Sequence, residues 1–265
     1  MAGVEAAGAV STDRIVVRRC EEHRELEACV ALQKEVWGFS DADMLPLRLF
    51  VVAQKIGGQV LGAFDGEEMI GFAMGIPGAR AGRPYLHSHM LAVRSTYRNS
   101  GIGRRIKLFQ REDALANGFE LIEWTFDPLE IKNAYLNLER LGAITRRYNI
   151  NQYGTVSSPL AGGLPTDRLV AEWWLRSKRV EVLLGNGALP EFEVRERVPV
   201  PAAIYQWKGS ASERPKAAEV QARNRELLSG AFARGLAALR YERDEQGNGT
   251  FLLGYWDETW SYGSV

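Results

Sequence analysis

Two histidines separated by one residue are the first feature of this sequence that could do chemistry. They are His87 and His89, in the stretch YLHSHMLAV, and the chain has only three histidines. The stretch predicts a β-strand, in which side chains two residues apart point to the same face. An imidazole with a pKa near ~6.5 can accept a proton at neutral pH, so one interpretation is a general base. The alternative is a pair of ordinary, partly buried strand residues.

A glycine turn follows the histidines along the chain. The letters RNSGIG run from Arg98 to Gly103 and lead directly into a stretch with helical periodicity. A helix N-terminus carries unpaired N–H groups and the positive end of the helix dipole, and glycine lets a backbone approach a phosphate closely. The pattern therefore predicts a phosphate-binding turn. It is neither a Rossmann fingerprint nor a P-loop, and the alternative is a plain strand–helix connection.

A metal site is a second interpretation of the histidine pair, since His-x-His on a strand can bind zinc. It requires a third ligand, for which Glu123 and His23 are candidates that nothing in their spacing selects. Cys20 and Cys29 have neither metal-type spacing nor a disulfide framework. We expect both to be small, buried side chains in a reducing compartment.

The elements that must position these residues alternate between strands and helices. The predicted order is strand, two helices, three strands, helix, strand, helix and two strands, which implies a mixed sheet with helices on both faces. The second helix should be capped by Asp43 and carry Pro46 in its first turn. The helix after the glycine turn should bury one apolar stripe. The residues of that stripe are Ile102, Ile106, Phe109 and Ala116.

The last third of the chain differs in character from the rest. DRLVAEWWLRSKRVEVLL predicts a late strand, residues 211–240 look helical, and QGNGTFLLGYW predicts a hairpin turn and a strand. We divide the chain into a flexible tail at 1–12, a core at 13–180 and an extension at 181–265. The extension is expected to be a packing or dimer surface, or a lid that works with the Gly/Pro-rich loop 157–166.

Composition excludes some classes of protein. The 265 residues include 33 basic and 33 acidic side chains, so the formal net charge is zero. A nucleic-acid-binding surface needs a basic excess, which argues against that class of partner. The sequence has no run of about 18 apolar residues, as a membrane helix requires, and its first residues do not resemble a secretory signal. We expect a cytoplasmic protein that binds neither nucleic acid nor membranes.

The stretch MLAVRSTYRNSGIGRRIKLFQREDALANG resembles the acetyl-CoA signature of the GNAT superfamily of N-acetyltransferases. That signature is Gln/Arg-x-x-Gly-x-Gly/Ala between a central strand and a helix, and Arg98, Gly101 and Gly103 occupy its positions. The order of predicted elements from residue 13 to about residue 180 also resembles the family core. The resemblance implies an α/β (α+β) GNAT fold with a mixed, mostly antiparallel central sheet and a C-terminal extension. It implies acetyl-CoA as cosubstrate and no metal.

The resemblance also assigns roles to residues. The turn would hold the pyrophosphate of coenzyme A and the strand end would pair with its pantetheine arm. HSHMLAVRSTYRNSGIG further resembles the same strand of serotonin N-acetyltransferases, a branch of the superfamily whose two histidines are assigned to proton removal through ordered water. By that resemblance His87 and His89 are the catalytic candidates. The cofactor-binding candidates are Leu91, Ala92, Val93, Arg98, Asn99, Ser100, Gly101, Ile102, Gly103 and Arg104.

The second family signature is only partly present. It reads Asn-x-x-Ala-x-x-Leu-Tyr, and its tyrosine often protonates the coenzyme A thiolate. Aligned on Gly142, the chain keeps Ala134 but has Ile131 at the asparagine position and Leu138 at the tyrosine position. Leu138 falls on an apolar stripe, so we expect it in the core. The usual general acid is therefore absent.

Other residues could take over these two roles. Asn133, Asn137 and Arg140 lie at i, i+4 and i+7, opposite the apolar stripe, and either asparagine could contact coenzyme A, the alternative being a solvated polar face. The acid could also be dispensable, because a thiolate with a conjugate pKa of about 8.5 is a fairly good leaving group. The tyrosines that could supply the proton are Tyr135, Tyr148 and Tyr153.

These observations predict an acetyl-CoA-dependent N-acetyltransferase that acts on a primary amine of a small molecule or peptide by direct attack. Strand amides near Ala92 and Val93 would hold the oxyanion. Asp127 or Glu123 could contact the acceptor, or Asp127 could simply cap a helix. The alternatives are a non-catalytic acyl-CoA-binding module and a metal-dependent hydrolase, and the extension leaves room for a homodimer.

Overall fold

The computed structural model describes residues 12, 14–80, 82–154 and 162–257, so most of the predicted tail and part of the loop 157–166 lie outside it. Its strands and helices are named in chain order. The strands are β1 (Ile15–Arg19), β2 (Gln59–Asp65), β3 (Glu68–Arg80), β4 (Arg83–Val93), β5 (Leu121–Phe126), β6 (Ile144–Asn149), β7 (Arg168–Trp174), β8 (Glu196–Val200), β9 (Leu236–Arg243) and β10 (Gly249–Tyr255). The helices are α1 (His23–Trp37), α2 (Leu47–Lys55), α3 (Ile102–Ala116), α4 (Ile131–Tyr135), α5 (Lys178–Leu184), α6 (Ile204–Gly209) and α7 (Arg214–Ala233). A π-helical turn, Leu136–Arg140, continues α4.

All of these strands belong to one sheet, in the order β1-β2-β3-β4-β5-β7-β6-β9-β10-β8. Each pairing is antiparallel except that of β4 with β5. Antiparallel neighbours can be joined by a tight turn, as β2 and β3 are, whereas a parallel pair needs a crossover. The crossover between β4 and β5 is α3, which begins at the glycine turn. The predicted mixed, mostly antiparallel sheet is confirmed.

Helices cover both faces of the sheet, as the alternation along β4 shows. Met90 and Ala92 join the cluster that α1 and α2 cover, while Leu91 and Val93 pack with Ile102 and its neighbours on α3. Both cysteines are buried in the α1–α2 cluster. The largest cluster lies between the strands from β5 to β10 and helices α4 and α7. None of the helices in the described part of the chain combines the length and apolarity needed to cross a bilayer.

Two element predictions in the first 184 residues were wrong. The second helix begins at Leu47 with Pro46 in the capping position, and Asp43 lies in the preceding turn. The predicted late strand ends at Trp174, and the residues after it form α5 instead. Ser177 explains the break, because its Oγ accepts a hydrogen bond from the Val180 N–H at 3.4 Å and so caps a helix.

The extension also differs from its prediction. Residues 236–240 form the start of β9 rather than the end of a helix, because Gly235, at φ +83°, ends α7 and the following apolar residues pair with β6 and β10. β8, β9 and β10 thus continue the central sheet. On α3, Ala116 is exposed, and the buried side chains of the stripe include Lys107 and Gln110.

Candidate active site

β4 and β5 separate shortly after they meet. Two residue pairs join them, the second of which is His87 with Glu123, and no later pair follows in the described residues. Beyond this point β4 runs on to Val93 with β3 as its partner on the other edge. A wedge-shaped gap, here called the wedge, therefore opens with His87 and Glu123 at its vertex. Backbone groups on the open edge of β4 can pair with a bound molecule.

The two histidines lie side by side at this vertex. His89 is the extra residue of a β-bulge, since Met90 pairs with Met74 while Ser88 pairs with Gly75. The imidazole centroids are 5.9 Å apart with ring planes tilted by 42°. Neither ring has a hydrogen-bond partner among the residues that the structure describes.

Burial sets the protonation state of both rings. It lowers the pKa of His87 to about 4, with a further lowering from the neighbouring His89 and an opposing effect of Glu123. Burial also lowers the pKa of His89. Both imidazoles are therefore neutral at pH 7 and have a nitrogen free to accept a proton.

Glu123 sits opposite His87 in a buried network of ion pairs. Its carboxylate accepts hydrogen bonds from Arg80 at 2.5 and 2.6 Å and from Arg147. Glu172, paired with Glu123 across β5 and β7, accepts from Arg146 and Arg147 at 3.1 Å. Both carboxylates are 2% exposed. Glu123 is thus occupied by arginines, which leaves it unsuited to the role of acceptor ligand or metal ligand.

A metal site gains no support from the other candidates. His23 is exposed at the start of α1, where its Nε2 lies 3.9 Å from Glu27 Oε1. Among the described residues, no group of three His, Cys, Asp or Glu side chains is arranged to hold a metal ion. The pair His87 and His89 therefore has no third protein ligand within that part of the chain.

The glycine turn is built around left-handed backbone. Asn99 has φ +62° and Gly101 has φ +87°, and the latter favours glycine. No side chain caps α3. The backbone N–H groups from Asn99 to Arg104 donate to no acceptor in the described residues, and the first helical bond runs from Arg105 N to Gly101 O. A Cβ at Gly103 would lie 3.7 Å from Leu91 Cδ2, an ordinary contact, so the fold itself does not require glycine there.

Positive charge gathers beside this turn. Arg104 Nε donates to the Arg140 carbonyl oxygen at 3.3 Å, so the first turn of α3 touches the end of the π-helical turn. Burial and the Arg140 charge together lower the pKa of Arg104. Neither guanidinium pairs with a carboxylate in the described chain. Arg98 instead folds back, with its Nε donating to Val93 O at 3.1 Å.

The asparagine candidates separate in the structure. Asn133 is exposed, whereas Asn137 is 2% exposed and its Nδ2 has no hydrogen-bond partner in the described residues. The predicted i, i+4, i+7 face does not form, because the π-helical turn that includes Asn137 changes the helical period. Leu138 is fully buried in the core, as predicted. Asn137 is therefore the asparagine with an unmet donor.

A comparison with protein families decides what kind of domain surrounds the wedge. Residues 22–136, from the residue before α1 to the residue after α4, match the model of the acetyltransferase (GNAT) family. After this match, residues 22–136 are here called the acetyltransferase domain. The match covers β4, the glycine turn, α3 and β5, so every wall of the wedge belongs to the acetyltransferase domain.

Solved structures resemble the acetyltransferase domain at low sequence identity. The ribosomal-protein-S18-alanine N-acetyltransferase from Escherichia coli has a TM-score of 0.47 and 16% identity over 60% of this chain and 92% of its own. A GNAT family acetyltransferase from Streptococcus pneumoniae has a TM-score of 0.48 and 16% identity, and the match covers 60% of this chain and 98% of its own. A GNAT family acetyltransferase from Elizabethkingia anophelis, solved with acetyl-CoA bound, has a TM-score of 0.44 and 14% identity, and the match covers 61% of this chain and 99% of its own. No curated protein matches the sequence.

Two of the three candidate tyrosines are occupied in the structure. Tyr148 donates to Asp167 Oδ2 at 2.7 Å, and burial with this bond raises its pKa, which disfavours proton release by the phenol. The Tyr153 hydroxyl lies 3.0 Å from Thr125 Oγ1, on the strand that forms the far side of the wedge. Tyr135 packs under Arg243, whose guanidinium carbon is 5.7 Å from the ring centroid.

Asp127, at the end of β5, has a structural role. Its Oδ1 accepts from the Leu129 N–H at 2.8 Å and its Oδ2 accepts from Lys208 Nζ at 2.9 Å. Lys208 is 7% exposed and also bonds Glu130 at 2.8 Å. These contacts tie the acetyltransferase domain to α6 and engage both carboxylate oxygens of Asp127.

A cleft of about 660 Å³ opens at the starts of β4 and β5, next to the vertex of the wedge. Tyr85 lines it and lies two residues before His87, so the two share a face of β4. Trp174 provides a second aromatic wall. The charged groups around the cleft are mainly the arginines Arg80, Arg83, Arg146 and Arg176, with the carboxylates Glu120 and Glu172.

Sequence reasoning missed one charged group of the acetyltransferase domain. Lys107, on the sheet-facing side of α3, is 4% exposed. Its Nζ donates to Ser88 Oγ at 2.8 Å and to Gln110 Oε1 at 2.9 Å, and it lies 3.7 Å from the centroid of the Trp124 ring. No pattern in the sequence separates this lysine from the partly exposed arginines of the same helix, which are Arg104, Arg105 and Arg111.

Proposed function

We propose that the chain is an acetyl-CoA-dependent N-acetyltransferase whose acceptor is a primary amine. The observation that carries the proposal is the run of unpaired N–H groups at the start of α3, beside a wedge that leaves one edge of β4 open. Acetyl-CoA supplies an activated acetyl group as a thioester. The amides from Asn99 to Arg104 suit its pyrophosphate, and the pair Arg104 and Arg140 suits a further phosphate. The open edge at residues 91–93 suits its amide-containing arm.

The amine needs a base before it can attack. His87 and His89 are neutral at pH 7 and face the vertex of the wedge, so either can take the proton, directly or through water. The amine then attacks the thioester directly, with backbone amides near Ala92 and Val93 holding the oxyanion. Cys20 and Cys29 are both buried in the α1–α2 cluster, so no acyl-enzyme is proposed.

The cleft beside the vertex is our candidate for the acceptor's path. Tyr85 connects it to His87 along one face of β4, and its arginines outnumber its carboxylates. The acceptor class is a small molecule or peptide that carries a primary amine, and an acidic group next to that amine suits the arginine lining. A screen should therefore include amino acids and acidic peptides beside neutral and basic amines.

Binding of the cosubstrate is the first test, with a matched pair of glycine variants. Gly101 and Gly118 have φ of +87° and +81° at opposite ends of α3, and a Cβ at either would meet no atom within 4 Å. Gly101→Glu and Gly118→Glu therefore impose similar backbone strain, but only the first places a carboxylate at the turn. Calorimetric titration should show micromolar binding of acetyl-CoA to wild type and to Gly118→Glu, and loss of binding in Gly101→Glu. Equal affinities of the two variants would contradict the proposed phosphate site.

Catalysis is tested next with a panel of amines, by thiol release and by the mass of the acetylated product. His89→Gln and His87→Gln should each lower kcat, by up to about 10²–10⁴-fold for the true base. The rival function is a non-catalytic acyl-CoA-binding module. Leu138 favours this rival, because it stands where the family usually has the tyrosine that acts as general acid. Tight acetyl-CoA binding without transfer to any amine would support that rival. The cytoplasmic location and the homodimer stay predictions from the sequence.

A further inference from the structure

The acetyltransferase domain holds a buried ammonium at the vertex of the wedge, on the face opposite the histidines. Ser88 and Trp124, which contact Lys107 Nζ, are the residues that directly follow the last paired residues of β4 and β5. Lys107 thus sits where the two strands begin to diverge.

The surroundings of Lys107 suit a protonated amine. Its three protons can meet Ser88 Oγ, Gln110 Oε1 and the face of the Trp124 ring, so each has an acceptor. No carboxylate contacts it within the described chain. Burying a charge without a counter-ion is costly, and this cost lowers the pKa of Lys107 well below its usual value. Such a lysine weakens the fold, which points to a role other than stability.

A second buried donor at the same place has no partner. Gln110 is fully buried, and while its Oε1 accepts from Lys107, its Nε2 has no acceptor in the described residues. Ser88 Oγ accepts from Lys107 and keeps its own proton to donate. The cluster of Lys107, Ser88 and Gln110, here called the vertex cluster, therefore offers more protons than the protein uses.

We propose that Ser88 and Lys107 deliver the proton that the leaving thiolate of coenzyme A requires, in place of the tyrosine that Leu138 replaces. The inference rests on the proposed function. As the carbon–sulfur bond breaks, its electron pair stays on sulfur. Ser88 donates its hydroxyl proton to that sulfur and receives one from Lys107 Nζ. Lys107 is left as a neutral amine and regains a proton from solvent, through Ser88, after the products leave. The acceptor nitrogen loses one proton before it attacks and a second after the new carbon–nitrogen bond has formed, and both leave through the histidines to solvent.

The burial of Lys107 supports this assignment. An exposed lysine, with a pKa of about 10.4, is a weaker acid than a thiol at about 8.5 and protonates a thiolate poorly. Burial lowers the pKa of Lys107, which makes it a stronger acid than an exposed lysine. Ser88 is needed as a relay because Lys107 itself is enclosed.

The test is a titration of bound coenzyme A, followed through the ultraviolet absorbance of its thiolate. In wild type we expect the pKa of the bound thiol to lie at least one unit below that of free coenzyme A. Lys107→Met should remove this lowering, and Lys107→Arg should keep most of it because it retains the charge. Lys132→Met is the control, since Lys132 is exposed on α4. A bound thiol with the same pKa in wild type and Lys107→Met would overturn the proposal.

Kinetics separate proton delivery from charge. Lys107→Met and Lys107→Arg should both lower kcat by about 10²–10³-fold, because a guanidinium does not release its proton, while the affinity for acetyl-CoA changes less than threefold. Ser88→Ala should lower kcat similarly, and it serves as the second variant if Lys107→Met does not fold. A kcat of Ser88→Ala within threefold of wild type, or a large loss in Tyr153→Phe alone, would overturn the assignment. Wild type that binds neither acetyl-CoA nor coenzyme A would instead refute the proposed function.

Discussion

Replacing His87 with glutamine should change how the stability of the protein depends on pH. Burial and the neighbouring His89 lower the pKa of His87 from an ordinary 6.5 to about 4. Between these values the unfolded chain binds a proton that the folded protein does not, so the folded state of wild type loses stability as pH falls from 6.5 to 4. The difference of about 2.5 units, at 1.36 kcal/mol each, corresponds to about 3 kcal/mol. Above pH 6.5 the histidine contributes no such penalty.

Urea unfolding at pH 7, 6, 5 and 4 measures this effect. The carboxylates titrate in wild type and in His87→Gln alike, so the difference between the two proteins isolates the histidine. His87→Gln should gain about 3 kcal/mol relative to wild type between pH 7 and pH 4. His23→Gln is the control for the loss of a histidine, because His23 is exposed on α1. Parallel curves for wild type and His87→Gln would refute the claim that the ring is held neutral by burial.

Three further predictions concern charged groups. Arg104→Met and Arg140→Met should each weaken acetyl-CoA binding about tenfold at low salt and less at high salt, and calorimetry showing a salt-independent loss would contradict the phosphate contact. Glu123→Gln should cost about 2 kcal/mol in denaturant unfolding, because two arginines lose a charged acceptor, and an unchanged midpoint would refute this. The free energy of unfolding of Lys107→Met at pH 7 should be at least as large as that of wild type. The difference between the two proteins should shrink as the pH rises toward ~10.4. The reason is that burial lowers the pKa of Lys107, so wild-type stability rises with pH; a less stable variant at pH 7 would contradict it.

Local signals in the sequence were sufficient to predict most of the strands and helices around the wedge. The alternation of β4 and the helical period that follows the glycine turn each depend on residues close together in the chain. The glycine turn belongs to this class, because the φ of Gly101 and the open N–H groups of α3 are local consequences of its residues. The predicted positions of His87 and His89 on one face followed from the strand period, and their 5.9 Å separation agrees with it.

The wrong predictions of secondary structure have two causes. Either a competing local signal was present, or the helical period changed within an element. Ser177 caps α5, although the residues after it alternate like a strand. Gly235 ends α7 one residue before β9. The π-helical turn moves Asn137 from a predicted polar face into the interior. Each of these depends on a hydrogen bond or a dihedral angle that residue type permits but does not dictate.

The sequence by itself determined the sheet-and-helix order, the left-handed glycine turn before α3 and the neighbouring histidines, because these follow from short-range periodicity and backbone preference. Only the tertiary structure decided how the charged side chains are used. It paired Glu123 with Arg80 and Arg147, and it placed Lys107 beside Ser88, 19 residues away in sequence. The physical reason is that burial depends on what packs above a residue. The sequence around a helical lysine does not show whether its side chain faces water or a pair of diverging strands.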